Sequence, residues 1–252
     1  MKVIATYHSI DASGSPVSVS PAAFRRHVAW LRSSRVRVTS VEELLAADDS
    51  ERDVVALTFD DAYASIAVEA APILFDSGLP ATVFVVSRRV GGLSTWHSPL
   101  EARGPELPLL GWDDLGNLAE RGFSIGSHSR THPHLPSLEP ARLDEEIGGA
   151  AEDLKDHLGL VARGFAYPFG DVSDDAAHAV GRVHEWACTT MFGELDGQDP
   201  LHLPRIDMWY FAQPHLSTLL ESWGTPGFRR WVRRRRQLRR VRRAIRRVDG
   251  SV

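Results

Sequence analysis

Two adjacent carboxylates, Asp60 and Asp61, close an apolar run that begins at Val54, and two histidines, His128 and His132, stand four residues apart further along. These are the types and spacings in the chain that could do chemistry. A short apolar run without helical periodicity reads as a strand buried on both faces, so it would deliver both carboxylates to its C-terminal mouth. Neighbours on an extended chain point to opposite sides, which separates their duties: one could hold a metal while the other handles a proton. Two histidines four apart meet on one face if the segment turns helically, offering two imidazoles to a single cation. Alone, an Asp pair also reads as a helix cap near Ala62, and a His-x-x-x-His pair as a solvated loop. Because both constellations end strands, the metal reading gains weight. One Asp and two His with open positions make a catalytic rather than a structural set, suited to Zn²⁺ with Co²⁺ or Ni²⁺ as substitutes.

The elements that must position these groups alternate. Strands are expected at residues 3–7, 36–39, 54–59, 81–87, 123–127, 164–167, 186–190 and 203–207. Helices are expected at 21–33, 41–47, 62–77, 112–121, 140–158 and 173–183. Ser20 before Pro21 and the stretch Ser40-Val-Glu-Glu read as helix starts. Residues 88–111, with Trp96 and His97, break the rhythm as a long loop. Repeated strand-helix units imply a parallel sheet, and their number favours a barrel, whose chemistry gathers at the strand C-termini.

The chain has 252 residues, 43% hydrophobic and 25% charged, ordinary for a globular protein. With one cysteine, Cys188, it has neither a disulfide framework nor a Cys-rich zinc site; Cys188 reads as a small buried hydrophobe in a strand. The N-terminal apolar run is too short for a signal peptide and no segment reaches a membrane span, so cytoplasmic residence is the default expectation. The net charge of −4 hides a division: from Phe228 onward stand 12 Arg against the single Asp249, +11, which leaves −15 for the remainder. The expected organisation is a domain over residues 1–226 and a basic amphipathic tail over 227–252.

Thr58-Phe-Asp-Asp-Ala-Tyr63 together with His128-Ser-Arg-Thr-His132 resembles the first two motifs of the polysaccharide deacetylases, the NodB-homology domain of carbohydrate esterase family four. Tyr7-His8-Ser-Ile, Pro80-Ala-Thr-Val-Phe-Val, Ile125-Gly-Ser-His, Tyr167-Pro-Phe-Gly170 and Leu203-Pro-Arg-Ile206 extend the likeness in the family's order across residues 3–207. The resemblance implies a distorted (β/α)7 barrel and metal-dependent removal of an N- or O-acetyl group from a sugar. It implies Asp61, His128 and His132 as metal ligands, Asp60 as general base and the Phe169 amide as a donor to the oxyanion. Two departures stand out. Many members carry an arginine two residues before the motif proline, where this chain has Ala166, and the late Leu-x-His motif is not evident, His215 standing in a helical context. The chain is similar here to the branch acting on poly-N-acetylglucosamine exopolysaccharides. Arg205 is therefore the expected partner of Asp60, and His8 the expected acid for the leaving amine, with a structural His8 as the alternative.

Trp96 and Trp209 are the better candidates for a sugar platform, with Tyr210 beside them; Trp112 opens a helix and reads as core first. Trp231, Leu238, Val241, Ile245 and Val248 form a stripe among the tail's arginines. That stripe reads as a helix lying on an anionic membrane, at the inner face if the protein is cytoplasmic, or as one packing on the acidic body. No nucleic-acid-binding motif accompanies the charge. Three functions remain open: deacetylation of an amino sugar in a polysaccharide, glycolipid or glycosyl precursor; deacylation of a small acylated amino sugar; or a silent sugar- or membrane-binding module. Retention of Asp60 beside the three ligands argues against the last.

Overall fold

The computed structural model describes residues 1–48, 53–96, 106–197, 199–213 and 215–248, with side chains to residue 238. His97 and Asp249 lie outside the described residues. Among the described residues the strands are β1 (Lys2–Tyr7), β2 (Ser9–Ile10), β3 (Ser18–Val19), β4 (Arg37–Thr39), β5 (Val54–Phe59), β6 (Thr82–Val85), β7 (Ser124–Ser127), β8 (Gly164–Ala166), β9 (Trp186–Phe192) and β10 (Leu203–Asp207). The α-helices among them are α1 (Pro21–Ser33), α2 (Val41–Ala46), α3 (Ala71–Asp76), α4 (Trp112–Glu120), α5 (Pro140–Leu158), α6 (Asp174–Gly181), α7 (Trp209–Ala212) and α8 (Pro226–Val248).

Seven parallel strands close on themselves in the order β1, β5, β6, β7, β8, β9, β10. The distortion has two sources. On one edge of β5, β4 pairs with Val54 to Ala56 and β6 takes over at Thr58 and Phe59, so two strands share that edge. Between β9 and β10 the register slips between Leu203 and Arg205. Apolar side chains fill the barrel on a period of two. Ile4, Ala56, Phe84, Ala166, Trp186, Cys188 and Leu203 form one buried cluster, which Val41 and Leu44 of α2 join. The alternate residues Val3, Ala5, Val55, Leu57, Val83 and Ile125 belong to the outer layer between barrel and helices, with Phe24, Val28 and Leu31 of α1. A second outer layer beneath α5 and α6 holds Phe165, Ala187, Leu143, Ile147 and Val180.

The expected helix starts form. Ser20 Oγ accepts from the Ala23 amide and Ser40 Oγ from the Glu43 amide. The expected helix over 62–77 is instead split: a π-helical turn, Ile66–Ala70, leads into α3. Pro72 stands at the start of α3, where a missing N–H costs least and the wider turn upstream absorbs the ring. His215 sits in a turn rather than a helix. Cys188 is fully buried, and burial pushes its thiol up to about 12, as befits an inert hydrophobe.

Candidate active site

At the mouth of the barrel the inward period of two continues and its chemistry changes. Ile4 is followed by Thr6 and His8, Ala56 by Thr58 and Asp60, Gly126 by His128, and Leu203 by Arg205. The same alternation that fills the core with methyl groups thus lines its open end with hydroxyls and with groups that can ionise. Asp61 stands out of this register. Its φ of 69° lies in the left-handed region, as does Ala62 at 54°, and the turn begun there carries the carboxylate to the histidines instead of away from them.

Asp61 Oδ1 lies 3.4 Å from His128 Nε2 and 3.4 Å from His132 Nε2. Ligand atoms of the three residues fall within 4.8 Å of one another, and all three are buried. His128 Nδ1 sits 2.6 Å from the Ala166 carbonyl. A carbonyl only accepts, so Nδ1 carries a hydrogen and Nε2 is the nitrogen turned toward Asp61; burial of this ring is outweighed by Asp61 and Asp60, which raise its pKa. Burial pushes His132 down to about 3, which keeps that ring neutral, while burial acting on Asp61 is outweighed by His128 and His132 and the carboxyl is held below its usual range. Asp61 Oδ1 and His132 Nδ1 are buried without a hydrogen bond. A buried acceptor left unpaired is costly, and two imidazoles with one carboxylate around an orphaned oxygen are the donor set a divalent cation takes. The residues therefore fit a metal.

Beside this cluster Asp60 and Arg205 form a two-pronged pair, Nη1 to Oδ1 at 2.6 Å and Nη2 to Oδ2 at 2.6 Å, both residues 2% exposed. Arg205 also donates to the Thr6 hydroxyl at 3.0 Å and to the Thr189 carbonyl at 3.0 Å, so its fork is fixed in the barrel wall. Burial raises the Asp60 carboxyl and the guanidinium more than offsets it, leaving the carboxylate ionised. His8 Nε2 lies 3.7 Å from Asp60 Oδ2 on the solvent side, its side chain 25% exposed. Arg205 is thus the arginine that faces Asp60, and position 166 holds a fully buried alanine.

The histidine segment reaches its geometry by a route different from the expected helical turn. Residues 128–132 form a loop, with Ser129 at φ 65° and His132 at φ 64°, yet the two rings still meet at 4.8 Å between centroids. Glu146, on α5 and 2% exposed, holds that loop: its carboxylate accepts from the Arg130 amide at 3.1 Å, the Thr131 amide at 2.9 Å and the Thr131 hydroxyl at 2.7 Å. Phe169 has φ 57°. Its ring stacks on His134 at 4.1 Å and meets the edge of His132 at 4.5 Å, while His134 Nδ1 lies 3.0 Å from Asp171. Among the described residues the five non-glycine residues with positive φ are Asp61, Ala62, Ser129, His132 and Phe169. Every one of them lies in a segment of this site, which is where such strain is kept when geometry matters.

Among the aromatic candidates, Trp96 is brought to the cluster, stacking on His132 at 4.7 Å. Trp112 stacks instead on the exposed His157 of α5, and is half-buried against the outer layer rather than within the core. Tyr210 lies beneath Arg235 and against Phe192, and the ring contact of Trp209 is with Tyr210.

The family model described as polysaccharide deacetylase matches residues 47–184, more than half of the chain. The chain belongs to the polysaccharide deacetylase family. A poly-beta-1,6-N-acetyl-D-glucosamine N-deacetylase of Staphylococcus epidermidis is 24% identical over 226 residues, spanning 82% of this chain and 72% of that protein. IcaB from Ammonifex degensii superposes with a TM-score of 0.72 at 22% identity, over 88% of this chain and 95% of that one. The Streptococcus pyogenes deacetylase PplD, in complex with acetate, gives 0.71 at 23% identity, over 81% and 91%. These likenesses bear out the NodB-type barrel read from the sequence. Sequence reasoning missed two parts of this family member's site. Glu146 left a signal, an acidic residue three positions after Leu143 and one before Ile147 on the buried face of α5. The His134–Asp171 pair left none, because nothing local links positions 37 residues apart.

Proposed function

We propose that the protein is a metal-dependent hydrolase that removes N-acetyl groups from an amino-sugar polymer, with Zn²⁺ the best-suited ion and Asp61, His128 and His132 its ligands. The observation that carries this reading is the adjacency of two differently equipped carboxylates: Asp61 facing two imidazoles, and Asp60 clamped by Arg205 with His8 beside it. The name of the Staphylococcus epidermidis relative supports N-acetyl glucosamine polymers as the substrate class.

Bound there, a divalent cation supplies Lewis acidity, polarising the acetyl carbonyl and acidifying a water. Asp60 is ionised and takes the proton of the attacking water, its orientation fixed by the two prongs of Arg205. The carbonyl carbon becomes tetrahedral as the water oxygen adds. The Phe169 amide, turned by its left-handed backbone, donates to the developing oxyanion. His8, on the solvent side of Asp60, protonates the leaving nitrogen, and the C–N bond breaks to give acetate and a free amine. Trp96, stacked on His132, offers an apolar face at the rim for a pyranose ring.

The test is acetate release from N-acetylglucosamine oligomers and from the monomer, with chelated and Zn²⁺-reloaded protein. Release from oligomers, lost on chelation and restored by Zn²⁺, is expected. Release that survives chelation, or that is confined to the monomer, overturns the reading.

A further inference from the structure

Helix α8 joins the body by one face and carries a second apolar face elsewhere. Phe228 and Val232 are each 1% exposed, and Trp231 packs with Phe192, Phe211 and Phe228. This is the docked face. At roughly 100° per residue, Leu238, Val241, Ala244, Ile245 and Val248 fall on a second arc of the same helix, centred about 130° away from the docked one and meeting it only at the Trp231 edge. The arc is free of charge. Arg239, Arg240, Arg242, Arg243, Arg246 and Arg247 occupy the rest of the circumference over those turns. Leu238, the first residue of the arc, lies within about 20° of Trp231 around the helix but two turns further along, and at 63% exposed it is past the reach of the body's cover. A straight helix cannot turn this second stripe onto the barrel without releasing Phe228 and Val232.

We propose that the distal half of α8 lies on an anionic lipid surface, with the arc from Leu238 to Val248 entering the headgroup boundary and the flanking arginines binding lipid phosphates. The charge pattern selects this occupant. The helix holds 12 Arg and no acidic residue, so a second copy of the helix would meet it with like charge. A nucleic acid would use the arginines and leave the apolar arc in water. Lipid uses both, because arginine stems extend along apolar surface while their heads reach the phosphates. Among the described residues no helix is long and apolar enough to cross a membrane, so the contact is peripheral.

The experiment is flotation of the full-length protein with vesicles of phosphatidylcholine alone and with phosphatidylglycerol as about a third of the lipid, beside a duplex DNA shift assay. Binding at least about ten-fold stronger to the anionic vesicles is expected, falling at least about ten-fold in the double variant Leu238→Glu/Ile245→Glu. A variant with Arg242, Arg243, Arg246 and Arg247 changed to Gln should lose the preference for anionic lipid. Urea unfolding of both variants should match the parent, since neither touches the docked face. Equal binding to the two vesicle types, an unaffected Leu238→Glu/Ile245→Glu variant, or DNA binding without vesicle binding overturns the proposal.

Discussion

Arg205 and Arg233 belong to one chain and to two physical regimes. The side chain of Arg205 is 1% exposed and grips Asp60 with two 2.6 Å bonds, while that of Arg233 is 69% exposed and comes no nearer than 4.0 Å to Glu194. At the barrel mouth each charge is placed once, paid for with strained backbone at Asp61, Ser129, His132 and Phe169, and has a named partner. On the outward face of α8, at Arg233 and its neighbours, charge is repeated and solvated, while Arg235 lies over Tyr210 on the inner side. A buried pair gains little over an apolar pair of the same shape, yet losing one partner strands the other. An exposed arginine leaves with little consequence. Precision and multiplicity are thus separate uses of the same residue.

That contrast can be broken in four places. Asp60→Asn, which keeps shape and removes the proton acceptor, should cut turnover by roughly 10²–10⁴-fold with metal content unchanged, read by acetate release and metal analysis. Arg205→Met should cost about 3–5 kcal/mol in urea unfolding, because Asp60 stays buried and unpaired. The Asp60 carboxyl is lowered in the fold, so the pair's contribution is present above the unfolded value of about 4 and is lost as pH falls. The gap between wild type and Arg205→Met should therefore narrow on acidification; a gap independent of pH would deny the pair its electrostatic role. Glu146→Gln should weaken Zn²⁺ binding by roughly 10–100-fold in calorimetry, since one amide oxygen cannot accept all three bonds from the 130–131 segment. Leu238→Ala should change stability by less than about 0.5 kcal/mol in the absence of lipid, whereas Phe228→Ala on the docked face should cost about 3–5 kcal/mol. Equal costs for these two would erase the distinction between the faces of α8.

Much of the mouth was legible because its grammar is local. The period of two in β5 and β10 places Asp60 and Arg205 in the inward set, and the run from Thr58 to Tyr63 carries the family's signature. β10 was read with its observed bounds, and α5 likewise. What stayed hidden depends on backbone that propensity does not describe. The histidine pair was expected to meet through a helical turn and meets through two left-handed residues, since a loop held by Glu146 can do what i,i+4 spacing does elsewhere. The split of the helix over 62–77 follows from Pro72, whose ring is compatible with a helix start but not with an unbroken run. The tail was read as one stripe. Packing of Phe228 and Val232 divides it into two, a distinction that needs to know which face has already found its cover.

The bond from His128 to the Ala166 carbonyl separates two tasks by strand. Because the tether is main chain, β8 aims the imidazole without committing a side chain to it, and the methyl of Ala166 stays fully buried in the barrel. The guanidinium that clamps Asp60 comes from β10 instead. One strand thus steers a ring by its backbone while another steers a carboxylate by its side chain.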